Sequence, residues 1–132
     1  MKLNVEIIPC LNDNYSYLLY DKSTDTVAII DPSDFITCDK IINEKHNKLD
    51  YILNTHHHLD HVGGNEKLKE KYKSKVLGFD LDKDRIPGID VALKEKQNFK
   101  IGNISFEVIF IPGHTKGHIA FYLKDEKIVF TG

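Results

Sequence analysis

Four of the seven histidines of this chain lie in one short run, His56-His57-His58-Leu59-Asp60-His61. Neutral imidazole and carboxylate groups are ligands that suit Zn²⁺, with iron or manganese as alternatives. Residues i and i+2 at a strand end point the same way, so we expect His56 and His58 to converge while His57 faces elsewhere. Asp60 and His61 lie in the turn beyond and can reach a second point nearby. The run therefore predicts a metal site.

A third imidazole would complete a catalytic zinc site, and the best candidate is His114 in the loop Pro112-Gly113-His114-Thr115. Three histidines and one water around zinc form a catalytic arrangement in which the pKa of the water falls to about 7. The resulting hydroxide can attack a carbonyl. The predicted chemistry is metal-dependent hydrolysis.

Other histidines and the cysteines allow less specific interpretations. A structural zinc site is an alternative, although such sites favour cysteines and a closed shell of four protein ligands. We expect His118 to pack or hydrogen-bond rather than bind metal, and His46 to lie on the surface. Cys10 and Cys38 belong to no CxxC motif, and we expect them to be reduced thiols without a catalytic role.

The elements that must position the histidine run alternate between strand and helix patterns. Tyr51–Thr55 reads as a buried strand directly before the run, and a helix is predicted over Asn65–Tyr72 with Asn65 as its N-cap. A further helix is predicted over Ile36–Lys45. The remaining predicted strands are Leu3–Ile7, Tyr15–Tyr20, Thr26–Asp31, Val76–Phe79, Asn98–Ile101, Ile104–Ile111, Ile119–Leu123 and Lys127–Phe130. Arg85–Ile89 is predicted to be a loop.

Composition is that of one globular domain over residues 1–132, with 41% hydrophobic and 29% charged residues. The net charge of −2 gives no electrostatic reason for nucleic acid or an anionic membrane as a partner. No signal peptide or membrane span is recognised, so we expect a cytoplasmic protein.

The segment Thr55-His56-His57-His58-Leu59-Asp60-His61-Val62-Gly63-Gly64-Asn65 resembles the THxHxDH signature of the metallo-β-lactamase superfamily. Within it, the sequence is most similar to the glyoxalase II (hydroxyacylglutathione hydrolase) family. The resemblance extends from Met1 to Gly132. It includes Ile8-Pro9-Cys10-Leu11-Asn12-Asp13-Asn14-Tyr15, Asp31-Pro32, Arg85-Ile86-Pro87-Gly88 and Pro112-Gly113-His114-Thr115-Lys116-Gly117-His118.

The resemblance implies a fold, a ligand set and a reaction. The fold is an α/β (α+β) protein of the αβ/βα sandwich type. His56, His58 and His114 match the ligands of a first metal, and Asp60, also a catalytic candidate, matches a ligand of a second together with His61. One or two zinc ions are implied. The reaction is hydrolysis of a glutathione thiolester, S-D-lactoylglutathione, to D-lactate and glutathione.

One departure from the family concerns the last residues, Thr131-Gly132. In the family an Asp that bridges both metals follows this position, and the parts that grip glutathione come later. We therefore expect the first half of the family fold, at most one metal, weak activity, and poor cover for Val108, Phe110 and Val129.

That expectation leaves several functions open. The chain could self-associate or bind a complementing C-terminal fragment. It could be a non-catalytic metal-binding half-domain from a truncated or split gene. It could also be another hydrolase of the superfamily, such as a lactonase.

Overall fold

The computed structural model describes residues 3–11, 14–111 and 117–132. Three helices occur among these residues: α1 (Phe35–Lys45), α2 (Leu59–Val62) and α3 (Asn65–Tyr72). The strands are β1 (Leu3–Cys10), β2 (Asn14–Asp21), β3 (Thr26–Ile30), β4 (Tyr51–Leu53), β5 (Lys75–Phe79), β6 (Ile89–Leu93), β7 (Asn98–Ile101), β8 (Ile104–Phe110), β9 (Ile119–Leu123) and β10 (Ile128–Phe130).

The first sheet is mixed and has six strands in sequence order, β1-β2-β3-β4-β5-β6. Strands β1 to β3 form an antiparallel meander, and β3 to β6 run parallel. Parallel neighbours need crossovers. Helix α1 joins β3 to β4, and α3 joins β4 to β5.

The second sheet is antiparallel, with four strands in the order β10-β9-β8-β7. One core lies between the sheets, where Ala28 and Ile30 of β3 meet Phe106 and Phe121 of the second sheet. The other face of the first sheet packs against the helices. Because strand side chains alternate, Val27 and Ile29 enter this second core. The predicted two-sheet sandwich with flanking helices is confirmed.

Helix α1 begins at Phe35, one residue before its predicted start, because Asp34 caps it by accepting a hydrogen bond from Thr37 N at 2.7 Å. The predicted N-cap of α3 was wrong. Gly64 occupies that position, and Asn65 is the first helical residue, with its buried side chain used elsewhere.

One strand was not predicted, and one predicted turn was wrong. Strand β6 begins at Ile89, the last residue of the predicted loop, and it is parallel to β5 through an irregular register. Its exposed Asp90 accepts a hydrogen bond from Val76 N at 2.8 Å, a contact that the strand pattern does not reveal. The segment after His58 forms the short helix α2 rather than a turn.

The prediction of poor cover in the second sheet holds only in part. Val108 is fully buried between the sheets and Phe110 is half-buried, whereas Val129 is 52% exposed. Among the residues that the structure describes, no helix has the length and hydropathy needed to cross a lipid bilayer.

Candidate metal centre

The centre forms where two parallel strands end side by side. Ile30 of β3 pairs with Leu53 of β4, so Asp31 and Thr55 follow at the same edge of the sheet. The backbone continues the register for one more step, since Asp31 N donates to Leu53 O at 2.9 Å. The sheet thereby brings a carboxylate to the start of the histidine run.

Three predicted ligands converge at this edge. The buried His56 ring lies 4.8 Å from that of His58 and 4.2 Å from that of His61, measured between centroids. Helix α2 brings His61 to the same place. His61 N donates to His58 O at 2.8 Å, and this helical turn folds the chain back towards His56. Asp60 Oδ2 lies 3.7 Å from His61 Nε2. The two neighbouring ligand groups that the sequence predicts, His56 with His58 and Asp60 with His61, therefore form one contiguous cluster.

Asp31 supports this cluster and was not predicted as a site residue. Its carboxylate accepts hydrogen bonds from Thr55 N at 2.8 Å and Thr55 Oγ1 at 2.6 Å. Its Oδ2 also lies 3.0 Å from His61 Nδ1. A ligand atom of Asp31 lies within 4.8 Å of those of His56 and His61. Because three polar groups already occupy its oxygens, we interpret Asp31 as the carboxylate that orients His61 rather than as a ligand.

The electrostatics of His61 follow from this contact. Burial disfavours the charged imidazolium, but the hydrogen bond that His61 donates to Asp31, with the charges of Asp31 and Asp60, outweighs it. The pKa of His61 is therefore raised above its ordinary value. A carboxylate in this position fixes the ring and makes its other nitrogen a better metal ligand.

Asparagine side chains hold the loop around the cluster. Asn14 donates to Asp60 Oδ2 at 3.0 Å. Asn54 and Asn65, both buried, face each other, with Asn65 Nδ2 donating to Asn54 Oδ1 at 2.7 Å. Asn54 Nδ2 in turn donates to His61 O at 3.1 Å. Helix α3 is thereby tied to the end of β4 and to α2.

His57 points away from the cluster, towards a second carboxylate. Its Nδ1 lies 2.9 Å from Asp82 Oδ2, and the Asp82 side chain has no exposed surface. Gly117 packs so closely on the same carboxylate that a Cβ there would lie 2.4 Å from Asp82 Cγ. Asp82 was not predicted, because neither its position nor its neighbours form a motif.

His118 belongs to the packing around His56. The two rings stack with centroids 4.4 Å apart and an interplanar angle of 27°. His118 Nε2 donates to Thr131 O at 2.6 Å, in agreement with the expected hydrogen-bonding role. The predicted ligand His114, with its loop Pro112–Thr115, lies outside the described residues, so its role stays a prediction.

The cysteines are not part of the centre. Cys10 and Cys38 are free and buried, with their sulfurs 3.8 Å apart. Burial, with the neighbouring Cys10, raises the pKa of the Cys38 thiol to about 12. A thiol that does not ionise near neutral pH is a poor nucleophile, as expected.

A cavity of about 520 Å³ opens beside the cluster. Its walls combine two predicted ligands with aliphatic side chains and the backbone of the Gly63 turn. The lining residues are Leu11, Ser33, His58, Leu59, Asp60 and Gly63.

The donor chemistry fits a divalent metal ion. Converging imidazoles with a neighbouring carboxylate suit zinc, iron or manganese, and none of these ligands is a cysteine. In such sites a histidine that binds the metal usually donates its other ring N–H to a nearby carboxylate or carbonyl, as His61 does to Asp31. The described residues alone supply His56, His58, Asp60 and His61.

The family model of the metallo-beta-lactamase superfamily matches residues 12–132 of the chain. Among curated proteins, a hydroxyacylglutathione hydrolase of Pelagibacter ubique is 49% identical over 98% of the chain, which corresponds to 54% of that protein. A hydroxyacylglutathione hydrolase of Brucella ovis is 43% identical over 99% of the chain and 51% of that protein. The chain thus spans about half the length of the curated relatives it matches.

Solved structures share the fold. The BLEG-1 B3 metallo-beta-lactamase superposes with a TM-score of 0.85 at 23% identity, covering 98% of the chain and 71% of that protein. ETHE1 from Myxococcus xanthus superposes with a TM-score of 0.78 at 26% identity, covering the whole chain and 57% of that protein.

Proposed function

The chain belongs to the metallo-beta-lactamase superfamily, and on that premise we propose that it is a metal-dependent hydrolase of glutathione thiolesters. The observation that carries the proposal is the convergence of His56, His58 and His61 at the end of β4. The substrate class follows from the relatives named hydroxyacylglutathione hydrolase. S-D-lactoylglutathione is the proposed substrate.

The proposed ligands divide into two groups. His56 and His58, with His114, would hold a first metal, and Asp60 and His61 would contribute to a second. A bound divalent ion would lower the pKa of a water molecule and polarise the thiolester carbonyl. Zinc is the proposed metal, because imidazole and carboxylate ligands suit it. The same ligands also suit iron and manganese, which are the alternatives.

The residues around the ligands have defined tasks in this proposal. Asp31 holds the His61 ring through Nδ1, so that Nε2 is presented on the side of Asp60. Asn14 fixes one oxygen of Asp60, Oδ2. Asp60 also lines the cavity beside the histidines. Asp60 is therefore also the group placed to accept a proton from water.

The test is hydrolysis of S-D-lactoylglutathione by the purified chain loaded with stoichiometric zinc. We expect turnover above that of free zinc, lost in His56→Ala and kept in His46→Ala. His46 is the matched control because its ring contacts Tyr20, near the end of β2 opposite to Asn14.

Three results would decide against the proposal. Turnover equal to that of free zinc and unchanged in His56→Ala would overturn the enzymatic function and favour a metal-binding domain without activity. Turnover of a lactone in preference to the thiolester would overturn the substrate class. Metal content near zero in the purified, zinc-loaded chain would overturn the metal site itself.

A further inference from the structure

The cavity beside the histidine cluster has a chemical character of its own. Leu59 is 81% exposed and Leu11 is 61% exposed, and both line it. Leu59 lies between His58 and Asp60 in the chain, so its side chain cannot move far from the centre. Two exposed leucines at the rim of a site form a local apolar surface of the kind that marks ligand binding.

Leu11 adds a second observation. Its φ is +54°, in the left-handed region that leucine rarely adopts. Such a conformation persists only where surrounding structure holds it, and it is concentrated at ligand contacts. Here it places an apolar side chain at the mouth of the cavity instead of in a core.

Charge limits what can occupy this cavity. No lysine or arginine lines it among the residues that the structure describes, and Asp60 contributes a carboxylate. The described walls therefore offer no cationic side chain to pair with the two carboxylates of the glutathionyl part. An uncharged aliphatic group needs no such partner, and the leucines cover it from water.

We propose that this cavity binds the acyl group of the thiolester, and that it selects uncharged aliphatic acyl chains. The inference rests on the proposed function for the identity of the ligand. Ser33, whose buried hydroxyl has no hydrogen-bond partner among the described residues, also lines the cavity. The glutathionyl group of the same bound substrate then extends away from this cavity.

Binding can be measured without turnover. In the metal-free chain labelled at leucine methyl groups, we expect S-hexanoylglutathione to shift the NMR signals of Leu11 and Leu59. S-methylglutathione, which has the same thiol part and no acyl chain, should leave them unchanged. Equal shifts with both probes would assign the cavity to the glutathionyl group, and absent shifts would exclude ligand binding there. Either result would overturn the inference.

Affinity should follow chain length. From S-acetyl- through S-butyryl- to S-hexanoylglutathione, each methylene should tighten binding up to about fourfold, from about 0.8 kcal/mol per buried CH₂. The gain should disappear in Leu59→Asn and persist in Ile36→Asn. Ile36 is also 81% exposed in the first turn of a helix, but it does not line the cavity. A gain that survives Leu59→Asn would place the acyl chain elsewhere.

The two proposals fail separately. Leucine shifts that depend on the acyl chain, without hydrolysis by the zinc-loaded chain, would leave the acyl site standing and refute the enzymatic function. Hydrolysis with no leucine shift would do the reverse.

Discussion

Asp31 connects the sheet to the candidate metal ligands at a single residue. It has no exposed surface, and its carboxylate contacts both Thr55 and His61. Its φ of +53° is also uncommon for a residue with a side chain. A buried carboxylate is costly unless it is hydrogen-bonded, so its three contacts offset the cost of burying it.

Replacing this carboxylate by an amide should weaken metal binding. Asp31→Asn keeps the size, but an amide nitrogen cannot accept from Thr55 Oγ1 or His61 Nδ1. We expect zinc affinity to fall about 10–100-fold, as for other changes to groups that support a ligand. Competition with a chromophoric chelator measures it. Glu44→Gln, a change at an exposed position of α1, is the control, and equal affinities in both variants would refute the orienting role.

Sequence reasoning at this scale succeeded where spacing carries the information. His56, His58, Asp60 and His61 are close together in the chain, and the structure brings them together in space. Asp31 and Asp82 were not predicted, because their partners are distant in the chain. The partners of Asp31 are 24 and 30 residues away, and the partner of Asp82 is 25 residues away. Only the parallel pairing of β3 with β4 makes the contact of Asp31 visible.

Elements are tied to one another by buried amides. Asn65 was predicted to cap α3, but it pairs with Asn54 and donates to Pro87 O at 3.2 Å. Propensity favours Asn at an N-cap, and tertiary contacts override that preference here. The sequence predicted the range of the helix correctly, because that range depends on a local pattern of residues rather than on a distant partner.

Removing this amide should loosen the contact between elements. Asn65→Ala leaves the buried Oδ1 of Asn54 without its donor. We expect a loss of about 1–3 kcal/mol in the free energy of unfolding, measured by urea denaturation. Glu66→Ala, one residue further along the same helix and exposed, is the control. A loss equal to that of the control would mean that the pair adds nothing.

A second side-chain contact links the two sheets, and its contribution to the stability of the fold depends on pH. The buried Asp21 at the end of β2 accepts from Asn103 N at 2.7 Å, in the β7–β8 turn. Burial opposes its charge, but the hydrogen bonds from Asn103, Ser23 and Thr24 outweigh burial and lower its pKa. The stabilisation is therefore complete above the unfolded pKa of about 3.9 and is lost as pH falls through the lower folded pKa.

Asp21→Asn should accordingly destabilise the chain at neutral pH by about 1–3 kcal/mol. The difference from the unmodified chain should shrink as pH falls below about 4. Urea midpoints between pH 7 and 3 measure it, with the exposed Asp84→Asn as control. A difference that stays constant over this range would contradict a role for the charge.

For the whole molecule, the sequence predicted the sandwich and misjudged which residues it covers. Val108 and Val129 both lie in the second sheet, and both were expected to lack cover. Val108 faces the core shared by the sheets, whereas the Val129 side chain is 52% exposed. Alternation along a strand identifies two faces, but which face meets the other sheet depends on packing that the pattern does not contain.

The two valines give a matched test of this packing. Val→Thr keeps the shape and adds a hydroxyl, which costs about 1–3 kcal/mol when buried without a partner. Val108→Thr should therefore lower the free energy of unfolding by that amount, while Val129→Thr should change it by no more than about 0.5 kcal/mol. Urea denaturation of both variants decides. Equal losses would mean that Val129 is covered in solution, by a second copy or another protein, and a dependence on chain concentration would identify the second copy.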